Sequence, residues 1–372
     1  EKFMAPIHGS NAFVEDILHS HPSPQATYFS STRAQKLHEF KDRHPVLTRI
    51  ASVIIKIFKV LIGLIILPLG IYWLCQTLCT NSILPSKNLL KIFKKQPNTK
   101  TLKTNYLHAL QDYSSKNRVA SMRRVPILQD NVLIDTLEIC LSQAPTNRWM
   151  LISLGSDCSL EEIACKEIFD SWQRFAKLIG ANILVYNYPG VMSSTGSSSL
   201  KDLASAHNIC TRYLKDKEQG PGAKEIITYG YSLGGLIQAE ALRDQKIVAN
   251  DDTTWIAVKD RCPLFISPEG FHSCRRIGKL VARLFGWGTK AVERSQDLPC
   301  LEIFLYPTDS LRRSTVRQNK LLAPELTLAH AIKNSPYVQN KEFIEVRLSS
   351  DIDPIDSKTR VALATPILKK LS

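Results

Sequence analysis

The chain has 372 residues, room for one large domain and an appendage, and a formal net charge of +14 from 48 Lys+Arg against 34 Asp+Glu. The excess is uneven, with 18 basic and 7 acidic side chains in residues 1–130 against 30 and 27 in residues 131–372. The basic residues crowd around an apolar run rather than interleaving with aromatics, which argues against nucleic acid as a partner, and none of the nine cysteines forms a close pair at metal-ligand spacing, so no metal or cofactor is expected.

Residues 1–49 are polar, and His21-Pro22-Ser23-Pro24 breaks them into two short helical candidates. Val60–Cys79 follows, 20 residues without a charge. At ~1.5 Å per residue such a run spans a ~30 Å hydrocarbon core. Arg49, Lys56 and Lys59 precede it, and Lys87, Lys91, Lys94 and Lys95 follow. Clusters of that kind attract anionic headgroups, and Tyr72 and Trp73 suit a membrane interface. The expectation for residues 50–84 is one transmembrane or deeply inserted helix, with membrane lipids as its partner. Pro68, with Gly63 and Gly70, would kink it, and a re-entrant hairpin turning at Pro68 is the alternative. The symmetric charges leave its orientation open. The run starts too late and is too long for a cleavable signal peptide. The first residue is Glu rather than Met, and Met4 is a candidate initiator. Residues 85–118 read as a basic connector. The scattered, odd-numbered cysteines read as reduced thiols, which places the globular part in a reducing compartment.

From 119 to 372 the pattern changes to that of a folded domain. Val119–Leu128 and Asn131–Cys140 around Gln129-Asp130-Asn131 predict a β-hairpin. Strands are then expected at Trp149–Leu154, Ala181–Tyr188, Ile226–Tyr229, Thr254–Val258, Leu301–Tyr306 and Glu342–Leu348. Helices are expected at Leu160–Ile179, Leu200–Lys217, Leu236–Asp244, Ser273–Phe285, in part of the stretch to 333, and at Arg360–Leu371. Alternating strands and helices after an antiparallel entry mean a mostly parallel sheet with helices on both faces. Reactive groups then belong on loops at the C-terminal ends of the strands.

The most informative stretch is Ile226–Leu242. The β-branched run Ile226-Ile227-Thr228-Tyr229 leads into Gly230-Tyr231-Ser232-Leu233-Gly234 and then a helix-forming sequence. A serine at the apex of a sharp strand-to-helix turn needs small neighbours, because helix and strand must approach closely. Its Oγ is then exposed at a helix N-terminus, whose backbone N–H groups face the reacting atom.

The Gln-Asp-Asn hairpin, the Leu154-Gly155-Ser156-Asp157 loop, the stretch Asn187-Tyr188-Pro189-Gly190-Val191-Met192-Ser193-Ser194-Thr195-Gly196 and the Gly230–Gly234 elbow together resemble the α/β-hydrolase fold over residues 119–372. The third stretch is similar to a loop common in membrane-associated hydrolases of that fold. With an apolar segment in front, the whole chain resembles the chlamydial CHLPS protein family. The resemblance implies an α/β-hydrolase-like domain preceded by an N-terminal membrane helix.

A hydroxyl nucleophile needs a base, an orienting acid and an oxyanion hole. Ser232 supplies the hydroxyl, and the Leu233 N–H one oxyanion donor. The second donor is expected from the loop after Leu154, most simply Ser156, where families of this fold often have His-Gly. Asp309 in Tyr306-Pro307-Thr308-Asp309 fits the acid position. The base is the weak point, because no histidine stands between residue 331 and the C-terminus. The loop after the last strand offers Asp351 and Asp353 instead, and a carboxylate near pKa ~4 is a poor base for serine. His272 and His330 are the histidines open to recruitment, with His207, on a helix, ranking below both. Two readings follow. One is a membrane-anchored serine hydrolase acting on an ester or lipid-like substrate. The other is a catalytically impaired hydrolase fold kept as a binding or membrane-effector module.

Overall fold

The computed structural model describes residues 28–29, 32–65, 67–84, 119–129, 131–141, 144–145, 147–156, 158–163, 167–244, 252–266, 275–296, 298–307, 324–336, 338–346 and 354–372. Its strands are β1 (Tyr28–Phe29), β2 (Val119–Gln129), β3 (Val132–Leu141), β4 (Arg148–Ser153), β5 (Asn182–Tyr186), β6 (Glu225–Tyr231), β7 (Thr254–Asp260), β8 (Leu301–Pro307) and β9 (Lys341–Val346). They form one sheet in the order β1-β2-β3-β5-β4-β6-β7-β8-β9. The β2–β3 hairpin is antiparallel, β3 also runs antiparallel to β5, and the pairs from β5–β4 through to β8–β9 are parallel. The two-residue β1, parallel to β2 at the edge, has no counterpart in the sequence reading.

The helices are α1 (Thr32–Arg43), α2 (Pro45–Ile65), α3 (Leu67–Ile83), α4 (Leu160–Ile163), α5 (Glu167–Ile179), α6 (Leu200–Lys215), α7 (Leu233–Asp244), α8 (Arg275–Leu284), α9 (Ala291–Gln296), α10 (Leu328–Lys333) and α11 (Ser357–Leu371). The single helix expected over 160–179 is thus α4 and α5. On α5, Ile168, Phe169, Trp172, Phe175, Ala176 and Ile179 are buried, a helical stripe turned to the sheet. Trp172 and Phe175 meet the Tyr229 ring, whereas Gln238 of α7 donates to Thr228 Oγ1 at 2.6 Å. Neighbouring residues of a strand point to opposite faces, so α5 and α7 cover opposite sides of β6. The inner strands are buried along nearly their whole length, as parallel strands covered on both faces must be. At α6 the Ser199 and Asp202 side chains form a reciprocal capping box, which starts the helix sharply.

The single spanning helix expected from the apolar run finds no support among the described residues. α2 ends at Ile65 and α3 begins at Leu67, and no described helix is long and apolar enough to cross a membrane. Proline lacks an N–H and its ring opposes the carbonyl four residues back, so a helix admits it in the first turn. Pro68 stands there in α3, and α2 carries Arg49, Lys56 and Lys59 in its length. The end of α3 docks on the α/β domain: Cys79, Ile83 and Leu84 are buried, and Trp287 Nε1 donates to Thr80 Oγ1 at 3.2 Å. α2 instead exposes Val46, Val53, Ile55 and Phe58 by half or more of their surface.

Lys259 of β7 and Lys341 of β9 both close on Glu302 of β8, with all three side chains fully buried. Lys259 also donates to Ser295 Oγ of α9 at 2.8 Å. Removing one partner of a buried ion cluster leaves uncompensated charge and costs roughly 3–5 kcal/mol. Glu302→Gln should therefore lower the unfolding free energy measured in urea by an amount of that order, with a matching drop in the midpoint. A midpoint equal to the wild type would show that the two lysines find other compensation.

Candidate active site

β6 runs to Tyr231 and α7 starts at Leu233, so Ser232 alone makes the turn, with φ +51°. A non-glycine residue in the left-handed region carries about 1–3 kcal/mol of strain and persists only when its surroundings over-determine it. Here they do. The Ser232 N–H donates to the Asp260 carbonyl at 2.8 Å, and the Gly235 N–H to the Ser232 carbonyl at 3.1 Å. A Cβ on Gly230 would lie 2.5 Å from Gly235 Cα, and one on Gly234 would lie 2.1 Å from the Ser153 carbonyl oxygen. Only glycine lets α7 come this close to the ends of β4 and β6. Ser232 thus sits half-buried at the C-terminal edge of the parallel strands.

Two further elements face it. The Leu233 N–H belongs to the first turn of α7, which has no partners of its own within the helix. Among the described residues no hydrogen bond takes it. The loop Leu154-Gly155-Ser156 passes on the other side, where a Cβ on Gly155 would lie 3.6 Å from Ser232 Cβ and 3.1 Å from the Tyr231 ring. Tyr188 OH donates to the Leu154 carbonyl and holds that loop down.

Three buried polar networks support these pieces. Under the loop, Ser153 Oγ lies 2.9 Å from both His207 Nδ1 and Tyr186 OH. His207 is fully buried on α6, and desolvation pushes its pKa down to about 3, so it is neutral and supports the strand end rather than reaching Ser232. Beside the elbow, Arg261 grips Asp260 through Nε at 2.7 Å and Nη2 at 2.8 Å, and Tyr229 OH donates to the same carboxylate at 2.7 Å. Arg261 has φ +51° and its guanidinium covers the Tyr231 ring at 4.9 Å. Burial alone would lower its pKa, but the Asp260 carboxylate outweighs that and raises it. Farther along the edge, Arg124 pairs with Asp135 at 2.6 Å and Glu161 at 2.5 Å, and Asn187 Nδ2 donates to both carboxylates. Desolvation, opposed by Arg124, leaves Glu161 above the usual carboxylate range. The sequence reading passed over all three networks. Their signal was a charge or histidine set inside an otherwise apolar strand or helix face.

Of the residues singled out by sequence, Ser232, Leu233 and Ser156 come together at one edge. His330 does not join them. It is exposed on α10 with its backbone N–H capped by Thr327 Oγ1 at 3.2 Å, and no hydrogen bond links it to Ser232. Asp309, His272, Asp351 and Asp353 lie outside the described residues. Among the described residues no hydrogen bond reaches Ser232 Oγ, and no group of acids, cysteines and histidines could hold a metal ion.

The strand order, with a left-handed serine between β6 and α7, defines an α/β-hydrolase-like fold. A crystallised alpha-beta hydrolase (ABH) from Vibrio vulnificus is similar, at 18% identity and a TM-score of 0.51 over 78% of this chain and 91% of that one. The carboxylesterase EstE1 from a metagenomic library aligns at 14% identity and 0.46 over 74% and 98%. The Pyrococcus furiosus esterase Pf2001 aligns at 14% and 0.45 over 68% and 91%. Residues 15–372 match the Chlamydia CHLPS protein family (DUF818), and the chain belongs to it. No curated protein sequence matches the chain.

Two outcomes follow from this geometry. Gly234→Ala must push α7 off the Ser153 carbonyl, a backbone contact that cannot yield cheaply, and should destabilise the chain by roughly 1–3 kcal/mol in urea unfolding. For His207, the unfolded chain takes up a proton near pH ~6.5 that the folded chain refuses until about 3. Its contribution is therefore full above ~6.5 and is lost as pH falls toward 3. The unfolding midpoint of His207→Gln should fall less than that of the wild type across that window, and parallel curves would refute the assignment.

Proposed function

We propose that this chain is a membrane-associated serine hydrolase that transfers the acyl group of an ester or lipid-like substrate to water through Ser232. The observation that supports it most is the left-handed Ser232, held against the sheet by glycine contacts and flanked by a free first-turn N–H and the Gly155 loop. In this reading Ser232 Oγ attacks the ester carbonyl carbon while a base takes its proton. The negative oxygen formed is held by the Leu233 and Ser156 N–H groups. The tetrahedral adduct collapses, the alcohol leaves with that proton, and water then releases the acid by the same steps. Asp309 is the orienting acid, two residues beyond β8. His272, between β7 and α8, is assigned the base. Asp260 is left out of the triad because Arg261 and Tyr229 occupy its carboxylate. The exposed apolar side chains of α2 support membrane lipids as the partner, with the α/β domain in a reducing compartment.

The impaired-module reading keeps one observation on its side. No histidine follows β9, where this fold usually carries its base, and no described histidine bonds Ser232. Labelling the full-length chain with a fluorophosphonate separates the two. Wild type should label and Ser232→Ala should not. His272→Ala should label roughly 10²–10⁴-fold more slowly, and His330→Ala as fast as wild type. The rate should rise with pH through ~6.5 for an imidazole base, against ~4 for a carboxylate. Folded wild-type protein that takes no label is a binding module, not an enzyme.

A further inference from the structure

α8 carries side chains that the hydrolase reading does not use. Ile277, Leu280 and Leu284 are 53%, 57% and 60% exposed. At 100° per residue they form one stripe along the helix, and Arg276, Lys279 and Arg283 form the stripe beside it. Gly278 and Ala282 are buried on the inner side, with Val281 packed partly against the core. The helix contains no acidic residue, and among the described residues none of these three cations is paired with a carboxylate. Lys279 Nζ instead lies 6.0 Å from the Phe265 ring centroid.

The position of α8 is as telling as its composition. Tyr72 of α3 donates to the Leu284 carbonyl at 3.5 Å, and its ring lies 5.5 Å from that of Phe285. This contact joins the apolar stripe of α8 to the exposed Ile71 and Leu74 of α3. Just beyond α8, the Gly286 carbonyl accepts from Leu200 N–H, the first residue of α6. α6 follows β5 and runs back to the start of β6, so its N-terminus lies at the C-terminal edge of the strands, the edge that carries Ser232.

We propose that α8 is a second bilayer contact, an interfacial helix that seats the Ser232 edge of the domain on anionic lipid. An exposed apolar stripe bordered by a cationic one is the pattern of a helix lying in the headgroup boundary. The occupant is an anionic bilayer rather than a second copy of the chain, because two copies meeting through α8 would oppose cation to cation. The proposal deepens the membrane reading above and rests on it for the identity of the partner. It does not depend on Ser232 being active.

Hydrogen exchange on the full-length chain tests it, with vesicles of phosphatidylcholine alone and of phosphatidylcholine mixed with phosphatidylglycerol. Peptides covering 275–284 should gain protection on the mixed vesicles and little on the neutral ones. Each basic residue strengthens binding to an anionic surface roughly fivefold. Arg276→Gln/Lys279→Gln/Arg283→Gln should therefore weaken the protection of α8 by about 100-fold in apparent affinity. Leu280→Gln, a milder change, should weaken it while leaving the urea midpoint in place. Protection of 45–83 without protection of 275–284 overturns the role of α8 and leaves the membrane reading standing. No protection of either segment removes both. Protection of α8 that rises with protein concentration in the absence of vesicles identifies a second copy as the partner and overturns the proposal. Fluorophosphonate labelling, measured separately, reports on the hydrolase reading alone.

Discussion

The architecture of the site depends on one contact without side chains, the approach of Gly234 in the first turn of α7 to the Ser153 carbonyl at the end of β4. Because no Cβ intervenes, the helix begins within backbone distance of two strand ends, β4 and β6. That leaves a single residue to make the turn between β6 and α7, and a single-residue turn here requires a positive φ. The strain at Ser232 is thus a consequence of close packing, and two backbone hydrogen bonds through Asp260 and Gly235 keep it in place. The Gly155 loop follows the same rule, since any side chain there would press on the Tyr231 ring.

Such packing holds only if the strand ends are rigid, and each has its own polar support. Ser153 is tied to Tyr186 and His207, Asp260 to Arg261 and Tyr229, and the far hairpin to α4 through Arg124, Asp135, Glu161 and Asn187. Buried groups of this kind are costly when unpaired and rigidifying when satisfied. They also limit the chemistry. A carboxylate already gripped by a guanidinium and a phenol is not free to orient an imidazole, so the acid and base of a working site must come from loops beyond β7, β8 and β9.

The order of elements was legible because buried parallel strands read as short apolar runs and helices as a 3.6-residue period, and most boundaries move by only a few residues. The elbow was legible because its glycines are required by sterics, which sequence expresses directly. The apolar run is a lesser case: a count of uncharged residues registers its length, and only the structure shows that its end docks on the domain through Cys79 and Ile83. The buried networks were illegible for a different reason, since their partners lie tens of residues apart and only the fold unites them. His207 is the intermediate case. Leu203, His207, Cys210 and Leu214 share one face of α6, so its burial could be read from spacing, though its bond to Ser153 could not.

The uneven charge of the chain takes on a spatial meaning in this fold. Residues 131–372 are nearly neutral in sum, yet α8 concentrates cations where α3 docks and where α6 begins. The uncharged α3 therefore meets a local basic helix of the domain at one place. Long-range attraction to an anionic surface would orient the domain before any apolar side chain touched it, since opposite charge steers encounter while apolar burial sets residence. An ester held in such a surface would then meet the edge of the sheet that carries the serine turn, and the short path from bilayer to Ser232 would favour substrates too apolar to cross water.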